Sequence, residues 1–321
     1  MNLFKNIEKR WIQDIKVGEQ LDEFYRIVEV NKRLKRDGAP FLTLVLMDKT
    51  GRAPAKVWDN VEQYQSLVRD GEIYRITGLV TEYKGQKEIR IDRLNTPPNG
   101  SEIKMEDYTE EAAFDTESLF DNMIGLVKSH LTNPLLVQLT DLFAAEYKTA
   151  FKSHYGAQKI HHAYLGGLLE HTHSIIKLAI QIADHYSLDK DVLLTGALFH
   201  DSGKMFEFTT APAVGMTLEG GLLGHLIIGN ELFTKLKNQI TDFPEELAVM
   251  IRHLIISHHG EREFGSPEIP KTREAYTLHV LDLLDSKLKI FEQVIEATDK
   301  NQMFSDYIPV LERRIFNPGN E

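Results

Sequence analysis

The sequence of 321 residues contains no cysteine. A disulfide framework, a thiolate metal site and a cysteine nucleophile are therefore all excluded, and any metal must be held by histidine and carboxylate. Long apolar runs are missing too. No stretch approaches the roughly 20 residues that a membrane-spanning helix needs, and the opening MNLFKNIEKRW lacks the apolar centre and small-residue cleavage site of a secretory signal. A cytoplasmic protein that does not engage membranes is expected. Histidine is absent from the front of the chain: all 13 lie at or after His130. Positive charge is scarce behind residue 100. Residues 1–100 carry 18 Lys and Arg against 15 Asp and Glu, whereas 101–321 carry 19 against 33, so a front of +3 precedes a back of −14. Two parts built for different work are implied.

What is present fits that division. With 42% hydrophobic and 26% charged residues the chain has the makeup of a folded protein, long enough for two domains. The stretch LNTPPNGSEIKMEDYTEEAAFD opens with a Pro-Pro-Asn-Gly breaker cluster and continues acidic, with little apolar periodicity. An acidic linker over 96–117 is expected, between a domain at 1–95 and another at 118–321.

Ahead of the linker the pattern alternates. FLTLVLMD (41–48), TGRAPAKVWD (50–59), EIYRITGLVTEY (72–83) and KEIRIDRL (87–94) read as short strands, the first two separated by a turn at Thr50-Gly51. Closing them into a small antiparallel β-barrel removes exposed edges. The runs FLTLVLMDKTGRAPAKVWD and IYRITGLVTEYKGQKEIRI resemble an OB-fold of the nucleic-acid-binding type. Single-strand binders of that fold combine a cationic groove with aromatic faces on which bases stack. NKRLKRDG (31–38) reads as a turn-like stretch offering Lys32, Arg33, Lys35 and Arg36, and Phe41, Trp58 and Tyr83 are candidate stacking platforms. Each of these aromatics also has the ordinary reading of a barrel core residue.

Behind the linker the period becomes helical. LGGLLEHTHSIIKLAIQIADHY (165–186), DVLLTGALFH, HLIIGNELFTKLK, PEELAVMIRHLIISHH and AYTLHVLDLLDSKLKIFEQVIEA carry apolar residues at i, i+3, i+4 spacing. Asp242 and Glu245 can form a capping box before the fourth of these, and Gly260 can end it. An all-α second domain follows, making the whole a multidomain α+β protein.

The histidines fall on these helices. His171 sits near the apolar stripe of the first, His200-Asp201 ends the second, His225 opens the third, His258-His259 closes the fourth and Asp282 lies in the fifth. One buried histidine is ordinary. Several together would each cost about 1–3 kcal/mol unless something satisfies them, and a metal pair would do so. The order His171, His200-Asp201, His225, His258-His259, Asp282 is similar to the HD-domain phosphohydrolase superfamily, with LEHT, HDSGK and LHVLDLLDSK as its motifs. That resemblance implies two divalent ions, one held by His171, His200, Asp201 and Asp282, the other by Asp201, His225, His258 and His259, with Asp201 shared. Such a pair lowers the pKa of a water and neutralises phosphoryl charge during phosphoester hydrolysis. Lys204, three residues after Asp201, is the candidate partner of a non-bridging phosphate oxygen. Imidazole with carboxylate suits Mn, Fe, Co or Zn, and Mn²⁺ is favoured.

His161 and His162 stand one stretch ahead of His171 and are candidate substrate contacts. His279 and Asp285 flank Asp282 by three residues on either side, where either could orient it. His130, His154, His173, His185, His253 and His279 are otherwise read as structural or exposed.

Over nearly its whole length, with KIHHAYLGGLLEHT and ISHHGEREFGSP, the sequence resembles the YhaM-type 3'-to-5' exoribonucleases. The resemblance implies a metal-dependent enzyme that shortens single-stranded RNA, with DNA a further candidate, from the 3' end to nucleoside monophosphates. The alternative is a nucleotidase or cyclic-nucleotide phosphodiesterase acting on small nucleotides. The text after the histidine pair, HHGEREFGSP, departs from that of cyclic-dinucleotide phosphodiesterases. MFSDYIPVLERRIF (303–316) carries apolar residues without an assigned partner, from which a homo-oligomer is expected.

Overall fold

The computed structural model describes residues 9–35, 37–83, 86–98, 103–108, 114–156, 164–209 and 215–319. The chain divides near residue 111 into two compact units.

The front unit is a closed five-stranded barrel in the order β1-β2-β3-β5-β4. Its strands are β1 (Gln20–Leu34), β2 (Pro40–Asp48), β3 (Gly51–Val57), β4 (Ile73–Tyr83) and β5 (Gln86–Asn95), with helix α1 (Val61–Leu67) between β3 and β4. A ring of five strands cannot alternate direction all the way round. The odd pair is β3–β5, which is parallel where every other neighbour is antiparallel. Strand alternation sends Leu42, Leu44, Leu46, Ile76, Val80, Ile89 and Ile91 into a common core. β1 corrects one expectation, because Asn31–Leu34 of the supposed turn NKRLKRDG is the end of this long strand, paired with Pro40–Thr43. Asp48, fully buried, explains the Asp-x-Thr-Gly turn. One carboxylate oxygen accepts from the Thr50 N–H and hydroxyl, and the other accepts the Ile12 N–H at 2.7 Å, tying the turn to the residues ahead of β1.

Part of the expected linker belongs to this barrel. Met105–Tyr108 form a single 3-10 turn, and the Asp107 carbonyl accepts the Lys49 N–H while Tyr108 is buried beneath the Lys9 ammonium.

The second unit is helical: α2 (Thr116–His130), α3 (Pro134–Lys152), α4 (Gly167–Tyr186), α5 (Lys190–Phe199), α6 (Lys204–Glu207), α7 (Leu218–Lys237), α8 (Glu245–Ser257) and α9 (Arg273–Ala297). Side chains at N-cap positions fix where several begin. Asp115, Asn133, Asp189, Thr217 and Thr272 accept orphan N–H groups of α2, α3, α5, α7 and α9. The Asp242–Glu245 capping box is not formed: Asp242 adopts φ 57° and α8 starts behind Pro244 without a side-chain cap. α5 is the hub. Val192 through Phe199 are all buried, against α4, α8 and α9. No helix among the described residues is long and apolar enough to cross a membrane.

Glycine is required at two places near the site. A Cβ on Gly203 would stand 2.1 Å from the His225 carbonyl oxygen, so only glycine lets the turn after α5 lie against α7. Gly224, at φ 73° and ψ 157°, breaks α7 one residue before His225. Of the C-terminal segment, Leu311 and Ile315 are buried with Ile290 of the chain's own α9, while Met303, Phe304, Tyr307 and Phe316 are exposed.

Candidate metal centre and nucleic-acid face

The ends of helices converge here. α4 supplies His171, the terminus of α5 supplies His200 and Asp201, α7 supplies His225 just past its break, the terminus of α8 supplies His258 and His259, and α9 supplies Asp282. Their ligand-capable atoms form overlapping groups: His171, His200 and Asp282; His200, Asp201 and His258; His225, His258 and His259. Asp201 lies between the two outer groups. Its Oδ2 is 3.5 Å from His171 Nε2 and 3.5 Å from His200 Nε2, while its Oδ1 is 3.6 Å from His225 Nε2 and 3.5 Å from His258 Nε2. His171 Nε2 is also 3.2 Å from Asp282 Oδ1, and His225 Nε2 is 3.2 Å from His259 Nε2.

All of these imidazoles are turned the same way. Each Nδ1 meets an oxygen at the rim: His171 on Asp285 at 2.8 Å, His200 on the Ala197 carbonyl at 2.7 Å, His225 on Glu207 at 2.9 Å, His258 on the Ile255 carbonyl at 2.8 Å and His259 on the Phe264 carbonyl at 2.9 Å. A carbonyl or carboxylate oxygen can only accept. The Nδ1 proton is therefore held outward on every ring, and every Nε2 faces the centre.

Burial and charge make this arrangement costly without a cation. His200, His258 and Asp201 are at most 2% exposed. Asp201 Oδ1 and His258 Nε2 are both buried and make no hydrogen bond, although each points at the other. Two lone pairs facing at 3.5 Å are what a shared positive ion resolves. Desolvation lowers His200 and His258, and it lowers His259, together with its histidine neighbours, to about 4, so these rings are neutral and ready to coordinate at pH 7. His171 goes the other way. Burial alone would lower it, but the hydrogen bonds to Asp282 and Asp285 outweigh that and raise it to about 9. Burial opposes the charge on Asp201, yet Lys204 and the histidines keep its carboxyl well below the ordinary range. The donor set of inward-facing imidazole nitrogens and carboxylates fits divalent metal ions, which would displace the second proton of His171.

Other residues singled out in the sequence find different roles. The Lys204 ammonium is occupied, 2.6 Å from Asp201 Oδ2 and 2.8 Å from the Gly156 carbonyl. Asp285 grips His171, and His279 donates to the His258 carbonyl at 2.8 Å, so these two steady other parts of the centre than Asp282. His161 and His162 lie outside the described residues. Glu207 escaped sequence reasoning, although a carboxylate inside the apolar run MFEF was a signal worth following.

On the barrel, Phe41 and Trp58 stack on each other with ring centroids 4.7 Å apart, and Arg33 pairs across the strands with Phe41. Lys35 lies 5.0 Å from the Trp58 ring. Lys56, another residue not foreseen, bridges Trp58 and Tyr83 at 5.7 and 4.6 Å and is ion-paired with Glu88. Beside them a groove of about 220 Å³ is lined by Asn31, Arg33, Thr43, Lys56 and the acids Glu29 and Glu88. Lys32 opposes inward-facing Leu42 and so leaves β1 on the other side from Arg33. Arg36 lies outside the described residues.

Comparison with known proteins covers both units. The 3'-5' exoribonuclease YhaM of Geobacillus is 33% identical over 301 residues, 94% of this chain and 92% of the relative. The chain belongs to the YhaM family. YhaM of Listeria monocytogenes is 33% identical over 98% of this chain and the whole of the relative, and YhaM of Bacillus subtilis is 31% identical over 94% and 95%. Two broader families match within the YhaM alignment. The OB-fold nucleic acid binding domain matches residues 26–96, which include the Phe41–Trp58 stack, and the HD domain matches 168–287, which include His171 through Asp285.

Proposed function

We propose that the protein is a metal-dependent 3'-to-5' exoribonuclease that hydrolyses the phosphodiester bonds of single-stranded RNA, and of single-stranded DNA, to nucleoside monophosphates. One observation carries the reading: Asp201 turns one oxygen to each of two groups of inward-facing imidazoles, within a chain of this family. His171, His200, Asp201 and Asp282 would hold one divalent ion, and Asp201, His225, His258 and His259 a second, with manganese favoured. When bound, such ions make water a nucleophile near neutral pH and neutralise charge on the phosphoryl oxygens.

The chain's own groups do the rest. Lys204 balances the charge of Asp201, and on giving up the Gly156 carbonyl it would steady a phosphate oxygen at the centre. Asp285 and Glu207 keep protons on the outward nitrogens, so that none points at the reacting phosphate. On the barrel, Phe41, Trp58 and Tyr83 offer faces for bases, each stack contributing about 1–3 kcal/mol, while Lys32, Arg33, Lys35 and Arg36 attract the backbone. His161 and His162 are proposed as further substrate contacts. A grip on the strand raises its local concentration near the phosphodiesterase centre. An RNA substrate goes with a cytoplasmic site of action. Self-association would use the exposed Met303, Phe304, Tyr307 and Phe316, since Leu311 and Ile315 pack on Ile290.

The test is incubation with Mn²⁺ and 5'-labelled RNA or DNA, single or double stranded, beside an Asp201→Ala variant and a panel of free nucleotides. A ladder shrinking from the 3' end, absent with the variant, is expected. Turnover of free nucleotides with inert oligomers would refute the assignment.

A further inference from the structure

We propose that Glu207 is the positioning residue for the half of the centre built on His225, and that its carboxylate decides whether that half takes up its ion. The inference rests on the metal reading above and concerns a residue outside the ligand set.

The reason lies in the break of α7. At Gly224 the backbone leaves helical geometry, so a local helical carbonyl is not the acceptor for the His225 N–H. Glu207 serves instead: its Oε1 accepts the His225 backbone N–H at 3.1 Å and its Oε2 accepts the ring Nδ1–H at 2.9 Å. One carboxylate thus fixes both the main chain and the ring rotation of one residue. The other ligand rings at helix ends are held locally. His200 and His258 bond carbonyls three residues back, and His259 bonds one five residues ahead, whereas His225 takes its acceptor from α6, 18 residues away. Glu207 is itself anchored, 7% exposed, with its carbonyl accepting the Thr217 N–H at 3.0 Å.

The chemistry requires a carboxylate. Two N–H donors of His225 meet two acceptor oxygens, and an amide of the same shape offers only one oxygen. In Glu207→Gln, the amide oxygen can keep the backbone N–H, leaving its NH₂ against Nδ1. His225 then exchanges tautomer, and its proton moves to Nε2, where it points at Asp201 and His259 in place of a lone pair. Outer partners of ligand histidines typically change metal affinity by about 10–100-fold.

The experiment uses the full chain, stripped of metal and titrated with Mn²⁺ by calorimetry, with thermal unfolding of the metal-free form as the folding control. Unaltered protein should take up two equivalents. Glu207→Gln should keep the first and bind the second about 10–100-fold more weakly. In the metal-free variant, ¹⁵N NMR of the histidine rings should show the His225 proton on Nε2, which a merely structural role would not produce. Added to His225→Ala, the same substitution should change nothing further. Glu207→Asp, which keeps the charge and loses one methylene, should fall between, and it carries the titration if the amide variant does not fold. Uptake of both equivalents at unaltered affinity, equal weakening of both, or an Nδ1 proton retained in the variant would overturn the proposal. Failure of the unaltered chain to bind any ion would sink the metal reading along with it.

Discussion

Replacing Lys204 by methionine should destabilise the metal-free protein far more than the metal-loaded one. The Lys204 ammonium sits 2.6 Å from Asp201 Oδ2, with the two side chains 16% and 2% exposed. Methionine keeps most of the volume and removes the charge, leaving buried Asp201 with the more distant His171, 3.5 Å away, as its cationic neighbour. Breaking a buried pair by removing one partner costs about 3–5 kcal/mol. For a helical unit of this size each kcal/mol moves the midpoint by about 2–4 °C, so a fall of roughly 6–20 °C is expected in EDTA. With Mn²⁺ the loss should shrink, because cations at Asp201 replace the missing ammonium, and ligand at 100 times its Kd adds about 2.7 kcal/mol. Scanning calorimetry of both proteins in EDTA and in Mn²⁺ reads the difference. A fall below about 1 kcal/mol without metal, or one of equal size in both conditions, would show that Asp201 does not depend on Lys204 for its charge balance.

Manganese affinity should climb as pH rises from 6.5 to about 9, because loading must evict the proton on His171 Nε2, which faces Asp282, while Asp285 keeps the one on Nδ1. The sign in metal-free protein is opposite: a raised histidine pKa stabilises the fold fully below 6.5, and that contribution is lost as pH passes about 9. Titration across this range, with urea unfolding in EDTA, checks both. Asp285→Asn should weaken the ion on the His171 side by about 10–100-fold, read by Mn²⁺ titration, and alter the His225 side far less. Trp58→Ala should weaken binding of a single-stranded oligonucleotide by about 1–3 kcal/mol, while turnover of a dinucleotide stays unchanged. Equal losses on both substrates would place Trp58 in the fold and not in the grip.

Periodicity made the barrel strands behind β1 and helices α4, α5, α7, α8 and α9 legible, whereas α2 and α3 were not singled out. β1 escaped because its C-terminal half, Glu29–Leu34, is exposed or only half-buried and rich in charge, so that NKRLKRDG read as a turn until Leu21, Tyr25 and Ile27 are seen to enter the core. The capping box at Asp242 and Glu245 had the right letters, but Pro244 and the left-handed Asp242 fix the entry to α8 differently. The C-terminal apolar residues could not be matched in sequence with α9, since the pairing of Leu311 with Ile290 is a matter of packing. At the centre, the histidines were visible because each interrupts or ends an apolar helix. Their orientation was not, because it depends on Asp285 reaching from α9 to α4 and Glu207 from α6 to α7. Lys204 had a place in the sequence without a partner, and the structure supplies Asp201 and Gly156.

A single carboxylate serves as the wall between the two sides of the centre, and a wall in common cannot be moved for one room alone. Filling one side withdraws electron density from the oxygen that the other side uses, so occupancy of the pair should be linked and not independent. The second equivalent of manganese should then bind more weakly than the first, and activity that needs both should bend upward at low metal.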